Sequence, residues 1–120
     1  MANFTEEQIQ QVWNKGKIDA DNDKNIFRKD CCDAWIKRDE YGTQEKYGWE
    51  IDHVYPEAKG GTDDEINLRP MHWENNRSKS DDFPDYTSSI TSDGNKNIDK
   101  QLSKTINDAL LEKLKAKYKI

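Results

Sequence analysis

Cysteine is almost missing from this chain: there are two in 120 residues, side by side at Cys31 and Cys32. A disulfide between neighbours is strained, and no spaced set of thiols offers a disulfide framework. The plain reading is a protein of a reducing compartment, the cytoplasm. Histidine is equally scarce, at two residues. Hydrophobic residues make up 32% of the chain against 36% charged. No apolar run approaches the ~20 residues needed to span a bilayer, so no membrane partner is expected. No basic-then-apolar signal segment opens the chain. Positive charge is in deficit, with 19 Lys and Arg against 24 Asp and Glu. Proteins that coat nucleic acid are usually basic, so this balance argues against that class. It leaves room for an enzyme that touches a few phosphates locally.

The length is that of one domain with one small core, and no internal repeat is present. Four Trp and five Tyr supply the bulk that the scarce aliphatics do not. The pattern reads as α+β. "FTEEQIQQVW" places Ile9, Val12 and Trp13 at helical spacing behind Thr5 as N-cap, which predicts a helix over about 5–14. "CCDAWIKRDEYG" fits either a short helix or an irregular strand. "YGWEIDHVYP" alternates as a strand, with Trp49, Ile51 and His53 on one side and Pro56 beyond its end. "EAKGGTDDE" is a loop, "INLRPM" a second strand, and "HWENNRSKS" a short helix. Residues 81–100 read as loop, with a hairpin around Asp93-Gly94 as the alternative. Leu102, Ile106, Ala109, Leu110, Leu114 and Tyr118 share a stripe, which predicts a C-terminal amphipathic helix over about 101–119.

Within "WEIDHVYPEAKGG", an acid and an imidazole stand together at the end of the first strand: Asp52 and His53. With Asn67 and Asn76 downstream, they form a constellation suited to phosphodiester hydrolysis. A neutral imidazole, with an ordinary pKa of about 6.5, can take a proton from water. A hard divalent cation prefers oxygen ligands such as the Asp52 carboxylate and the Asn76 amide carbonyl. Each of the four has an ordinary structural role when taken singly. Their joint spacing around Gly60-Gly61, in a strand–loop–strand–helix frame, singles them out.

The stretch "WEIDHVYPEAKGGTDDEINLRPMHWENNRSKSD" resembles the HNH endonuclease motif, the ββα-metal fold, across residues 49–81. The matching features are Asp52-His53, Pro56, Gly60-Gly61, Asn67-Leu68, Asn76 and Lys79. "RKDCCDAWI" is similar to the upstream part of one bacterial branch. The resemblance implies a single HNH domain over 1–120 with its core at about 29–81, flanked by the two terminal helices. It implies His53 as general base and Asp52 and Asn76 as ligands of one divalent metal, Mg²⁺ ahead of Mn²⁺. Asn67 would pin the loop that aims His53, and Lys79 would sit near the phosphate. Arg77 and Arg69 would contact the substrate. DNA is the expected substrate ahead of RNA, cut to 5′-phosphate and 3′-hydroxyl ends. A ribonuclease and a non-catalytic ββα module are the alternative readings, and a protein partner or homodimer stays open.

Two features depart from the family pattern or strain it. Many relatives hold a structural zinc through two CxxC pairs. This chain has no CxxC, and His72 and Asn75 stand where the second pair would be, so no structural zinc is expected. His72 lies one turn before Asn76; it could approach the metal, but a packing or hydrogen-bonding role is expected. Asp52 and His53, as strand neighbours, should point to opposite faces. They can share a site only if the strand twists or ends there. Finally, residues 66–80 carry Arg69, Arg77 and Lys79 against Glu74. That excess could hold one phosphate but not a long duplex, so weak, salt-sensitive binding is expected.

Overall fold

The structure, a computed structural model, describes residues 3–120. Helix α1 (Glu6–Trp13) opens with a capping box: Thr5 Oγ1 accepts from the Gln8 N–H at 3.1 Å, and Gln8 Oε1 accepts from the Thr5 N–H at 2.9 Å. Its apolar residues Ile9, Val12 and Trp13 pack on Ile36, Trp49, Ile51 and Leu68. The Trp13 and Trp49 rings lie 5.3 Å apart. The segment that fits helix or strand by pattern is a strand. β1 (Phe27–Lys29) and β2 (Trp35–Lys37) pair antiparallel, and a short 3-10 turn, Arg38–Glu40, follows.

β3 (Trp49–His53) and β4 (Leu68–His72) form the second antiparallel pair, and β4 runs directly into helix α2 (Trp73–Lys79). The register sets Asp52 opposite Arg69 and His53 opposite Leu68. Strand alternation divides the sheet. One face carries Trp49, Ile51 and Leu68 to α1. The other carries Glu50, Asp52 and Met71 toward α2 and a second core of Cys32, Val54, Met71, Tyr86, Ile106 and Leu114.

β5 (Asp85–Asp93) and β6 (Lys96–Thr105) make a long hairpin turned at Gly94. Helix α3 (Asp108–Tyr118) starts only after it, capped by Asn107, whose side chain accepts from the Leu110 N–H. The helix expected from residue 101 is therefore corrected: residues 101–105 are strand. Leu102 pairs with Ser88, and Ile106 enters the core from the chain between strand and helix. An i, i+4 pair such as 102 and 106 satisfies a period of two as well as one of 3.6, so the stripe cannot separate the two. Among the described residues no helix is long and apolar enough to cross a membrane.

Candidate active site

His53 is the last residue of β3, and an open cleft of about 710 Å³ runs past that end. Its walls include Glu50, Asp52 and His53 from β3, Glu57 from the following loop, Asn76 and Arg77 from α2, and Phe4 and Tyr41 from the α1 side. β3 pairs with β4 along one edge, and its other edge is met, among the described residues, only at Trp49, by Tyr41 and Gly42, so beyond that point the cleft reaches residues of both strand faces. Asp52 and His53, neighbours on opposite strand faces, thus meet Asn76 of α2 at one cavity.

Asp52 is 3% exposed and held by two cations. Arg69 Nε donates to its Oδ2 at 2.9 Å, and Lys79 Nζ lies 3.3 Å from its Oδ1. The Lys79 ammonium also donates to the His53 carbonyl at 3.3 Å. Burial pushes Lys79 below its ordinary pKa, against the pull of Asp52. Burial would also lower the Arg69 guanidinium, but Cys31 and Asp52 beside it outweigh that and hold it above its ordinary value. Arg69 lies over the Tyr86 ring at 5.4 Å.

Both cations are drawn inward onto Asp52. Lys79 is fully buried because it lies four residues from Asn75, on the inward face of α2. Arg69 faces Asp52 because the β3–β4 register pairs them on the same side of the sheet. Two of the three positive charges expected for substrate are thus spent on Asp52. Arg77 alone of the three lines the cleft, half-exposed over the Trp73 ring and 3.7 Å from Glu50.

Asn67 is wholly buried and closes the loop after β3. Its Oδ1 accepts from the Tyr55 N–H at 2.7 Å, while its Nδ2 donates to the carbonyls of Tyr55 at 3.1 Å and Thr62 at 3.0 Å. The Val54 N–H donates to the Asn67 carbonyl. The side chain therefore spans a loop whose two ends both lead to His53. Asn76 Nδ2 donates to Glu50 Oε1 at 3.1 Å.

His72 is not in the cleft. It caps α2, its Nδ1 accepting from the Glu74 N–H at 3.1 Å and its Nε2 bonded to the Lys46 carbonyl at 2.9 Å. Buried Asp30 ties it to Asn75. Asp30 Oδ2 accepts from the His72 N–H at 2.9 Å and from Asn75 Nδ2 at 3.1 Å, while Oδ1 accepts from the amides of Cys32 and Ala34. Asn75 Oδ1 in turn accepts from the Ser89 and Ile90 amides, joining α2 to β5. This hydrogen-bonded web ties the β4–α2 junction to the Asp30 turn and to β5.

Three carboxylates at the site escaped the sequence reading. Glu50 is two residues before Asp52, so strand alternation was enough to put both on one face. Glu57 and Asp63 flank His53: Glu57 Oε1 lies 3.7 Å from Nδ1, and Asp63 Oδ1 lies 2.7 Å from Nε2. The three ligand-type atoms lie within 4.8 Å of one another. His53, Glu57 and Asp63 thus form one compact His–carboxylate group at the end of β3 that could also hold a cation. Asp52, Asn76 and Glu50 are further oxygen-bearing side chains on the cleft wall. Asn76 Oδ1 accepts no hydrogen bond among the described residues, and an amide oxygen of this kind is a donor that hard divalent ions accept.

No curated protein and no solved structure matches the chain. A family model does match: residues 35–82 fit the one described as HNH endonuclease. That span contains β2, β3, β4, α2 and every residue assigned to the cleft from those elements.

Proposed function

We propose that this protein is a metal-dependent endonuclease that hydrolyses DNA, with His53 as the general base. One observation supports the reading above the others. Apart from Asp52, which Arg69 and Lys79 already neutralise, the cleft that holds His53 is lined by three carboxylates, Glu50, Glu57 and Asp81, against a single guanidinium, Arg77. A phosphodiester would be repelled from such a surface, since like charges a few ångströms apart disfavour each other by kcal/mol amounts in a partly shielded site. A divalent cation between carboxylates and phosphate reverses the sign.

Asp52 and Asn76 would hold that cation, with Glu50 beside them, and Mg²⁺ suits the all-oxygen set, Mn²⁺ being the alternative. When bound, the ion supplies Lewis-acid stabilisation of charge on the phosphate and the leaving oxygen. The remaining work falls to side chains. His53 accepts a proton from the attacking water, at the end of the strand that carries Asp52. Asn67 fixes the loop from which His53 is aimed. Arg77 offers a half-exposed charge to a phosphate at the cleft rim. Arg69 and Lys79 hold the Asp52 carboxylate in one orientation, a task that needs both to be buried.

Supercoiled plasmid and a structured RNA, each incubated with Mg²⁺ and with EDTA, test this. Nicking of the plasmid with Mg²⁺ and none with EDTA is the expected result. Cleavage of RNA alone would move the substrate class. Binding of nucleic acid without cleavage of either would identify a non-catalytic module.

A further inference from the structure

We propose that Asp63 is a positioning residue that fixes the His53 ring in its Nε2–H tautomer and so presents Nδ1 to the cleft as the basic nitrogen. The proposal rests on the reading of His53 as general base. Asp63 Oδ1 lies 2.7 Å from Nε2, the length of a strong hydrogen bond to a carboxylate. A carboxylate has no proton to give, so the ring nitrogen is the donor and Nε2 carries the hydrogen. The lone pair then belongs to Nδ1. The Nδ1 side is also the cleft side: Glu57, 3.7 Å from Nδ1, lines the cavity, whereas Asp63 does not. At 3.7 Å the Glu57 carboxylate makes no hydrogen bond with the ring, so Nδ1 is left free for water.

Asp63 can do this only if its loop is stiff, and the end of α3 stiffens it from outside. Tyr118 Oη accepts from the Thr62 N–H at 3.2 Å and bonds the Thr62 hydroxyl at 2.8 Å. Lys117 Nζ lies 3.0 Å from Asp64 Oδ2, and the Tyr118 ring stacks on Tyr55 at 5.0 Å. From inside, Asn67 Nδ2 donates to the Thr62 carbonyl. The residues on both sides of Asp63 are therefore held by separate elements. A partner that orients a functional imidazole through its second nitrogen is typically worth about 10- to 100-fold when removed.

Long-range ¹H–¹⁵N spectra of the imidazoles in the metal-free protein test the proposal independently of catalysis. The chain has two histidines. His72, with Nδ1 accepting from an amide and Nε2 facing a carbonyl, serves as an internal Nε2–H reference. At about pH 8.5, where an ordinary histidine is neutral, wild-type His53 should show the Nε2–H pattern. Asp63→Asn, which keeps an acceptor, should retain it, and Asp63→Ala should give a tautomer mixture with His72 unchanged. In the plasmid assay Asp63→Ala should lower kcat about 10- to 100-fold with little change in KM, and Asp63→Asn should recover part of the loss. A wild-type His53 in the Nδ1–H form, or an Asp63→Ala spectrum identical to wild type, would overturn the proposal. Wild-type protein that shows the expected tautomer yet cuts nothing would instead remove the nuclease reading and with it any catalytic meaning of the dyad.

Discussion

Asp52 Oδ2 accepts a hydrogen bond from Arg69 Nε at 2.9 Å, across the strand register that sets the two residues opposite each other. Both lie largely out of water, and Lys79 completes the cluster from α2. Removing the carboxylate leaves two buried cations without their counter-charge. Asp52→Ala should therefore cost about 3–5 kcal/mol in urea unfolding, whereas Asp52→Asn, which keeps the shape and an acceptor, should cost less. Loss of cleavage in Asp52→Ala alone would not separate ligand from fold. The Asn variant, folded but inactive, would. An Asp52→Ala protein as stable as wild type would contradict the buried cluster.

The two adjacent glycines of the loop have different reasons to be there. Gly60 has φ +109° and open space around it, so a side chain meets backbone strain but no clash. A Cβ on Gly61 would collide with the Tyr55 carbonyl and come within 3.0 Å of Asn67 Nδ2. Gly60→Ala should cost about 1–2 kcal/mol, the ordinary penalty of a left-handed L-residue. Gly61→Ala should cost more and should also reduce cleavage, because the chain that must shift carries the Asn67 clasp. Thermal melts and the plasmid assay, run on both variants, check the order. Gly60→Ala as the worse of the two would contradict it.

Asp64 supplies a pH dependence. The Thr62 hydroxyl, and then Lys117, hold its carboxyl below the ordinary value of 3.8. A folded-state pKa below the unfolded one means that the stabilisation is present above 3.8 and is lost as pH falls through the lower, folded value. Wild type should be slightly more stable than Asp64→Asn at pH 6, and the gap should narrow as pH falls below 3.8. The residue is exposed and screened, so the gap is small. A gap that widens on acidification would contradict the assignment.

The acidic cleft predicts that nucleic acid binds only with a divalent cation. Fluorescence anisotropy of labelled duplex with the His53→Ala protein should show binding at least about tenfold tighter in Mg²⁺ than in EDTA, and weaker in both as salt rises. Equal affinity without the cation would mean that the phosphate lies elsewhere.

Much of this site was legible because its spacing is local. Asp52-His53, the glycine pair, Asn67 and Asn76 fall within 25 residues of one another, and periodicity alone ordered the elements as strand, loop, strand and helix. What escaped the sequence depends on which face a side chain takes. Lys79 and Asn76 are one helical turn apart, yet Lys79 turns inward to Asp52 and Asn76 lines the cleft. The pairing of Arg69 with Asp52 likewise depends on the β3–β4 register, which no local pattern shows. Asp63 sits on a loop whose path is set by Tyr118 and Lys117, some 54 residues further along the chain, and no local pattern encodes that. β6 was hidden for another reason: its residues are mostly exposed and polar, so it carries little alternation to read.

In the proposed function His53 removes a proton from water across the scissile bond from a cation-binding cleft. Single-turnover cleavage of supercoiled plasmid by wild type and His53→Ala in Mg²⁺ tests it most directly, with near-UV circular dichroism as the check on folding. The account predicts an intact fold and a rate lower by a factor of about 10² to 10⁴ for the variant. A folded His53→Ala protein that cuts at the wild-type rate would contradict it.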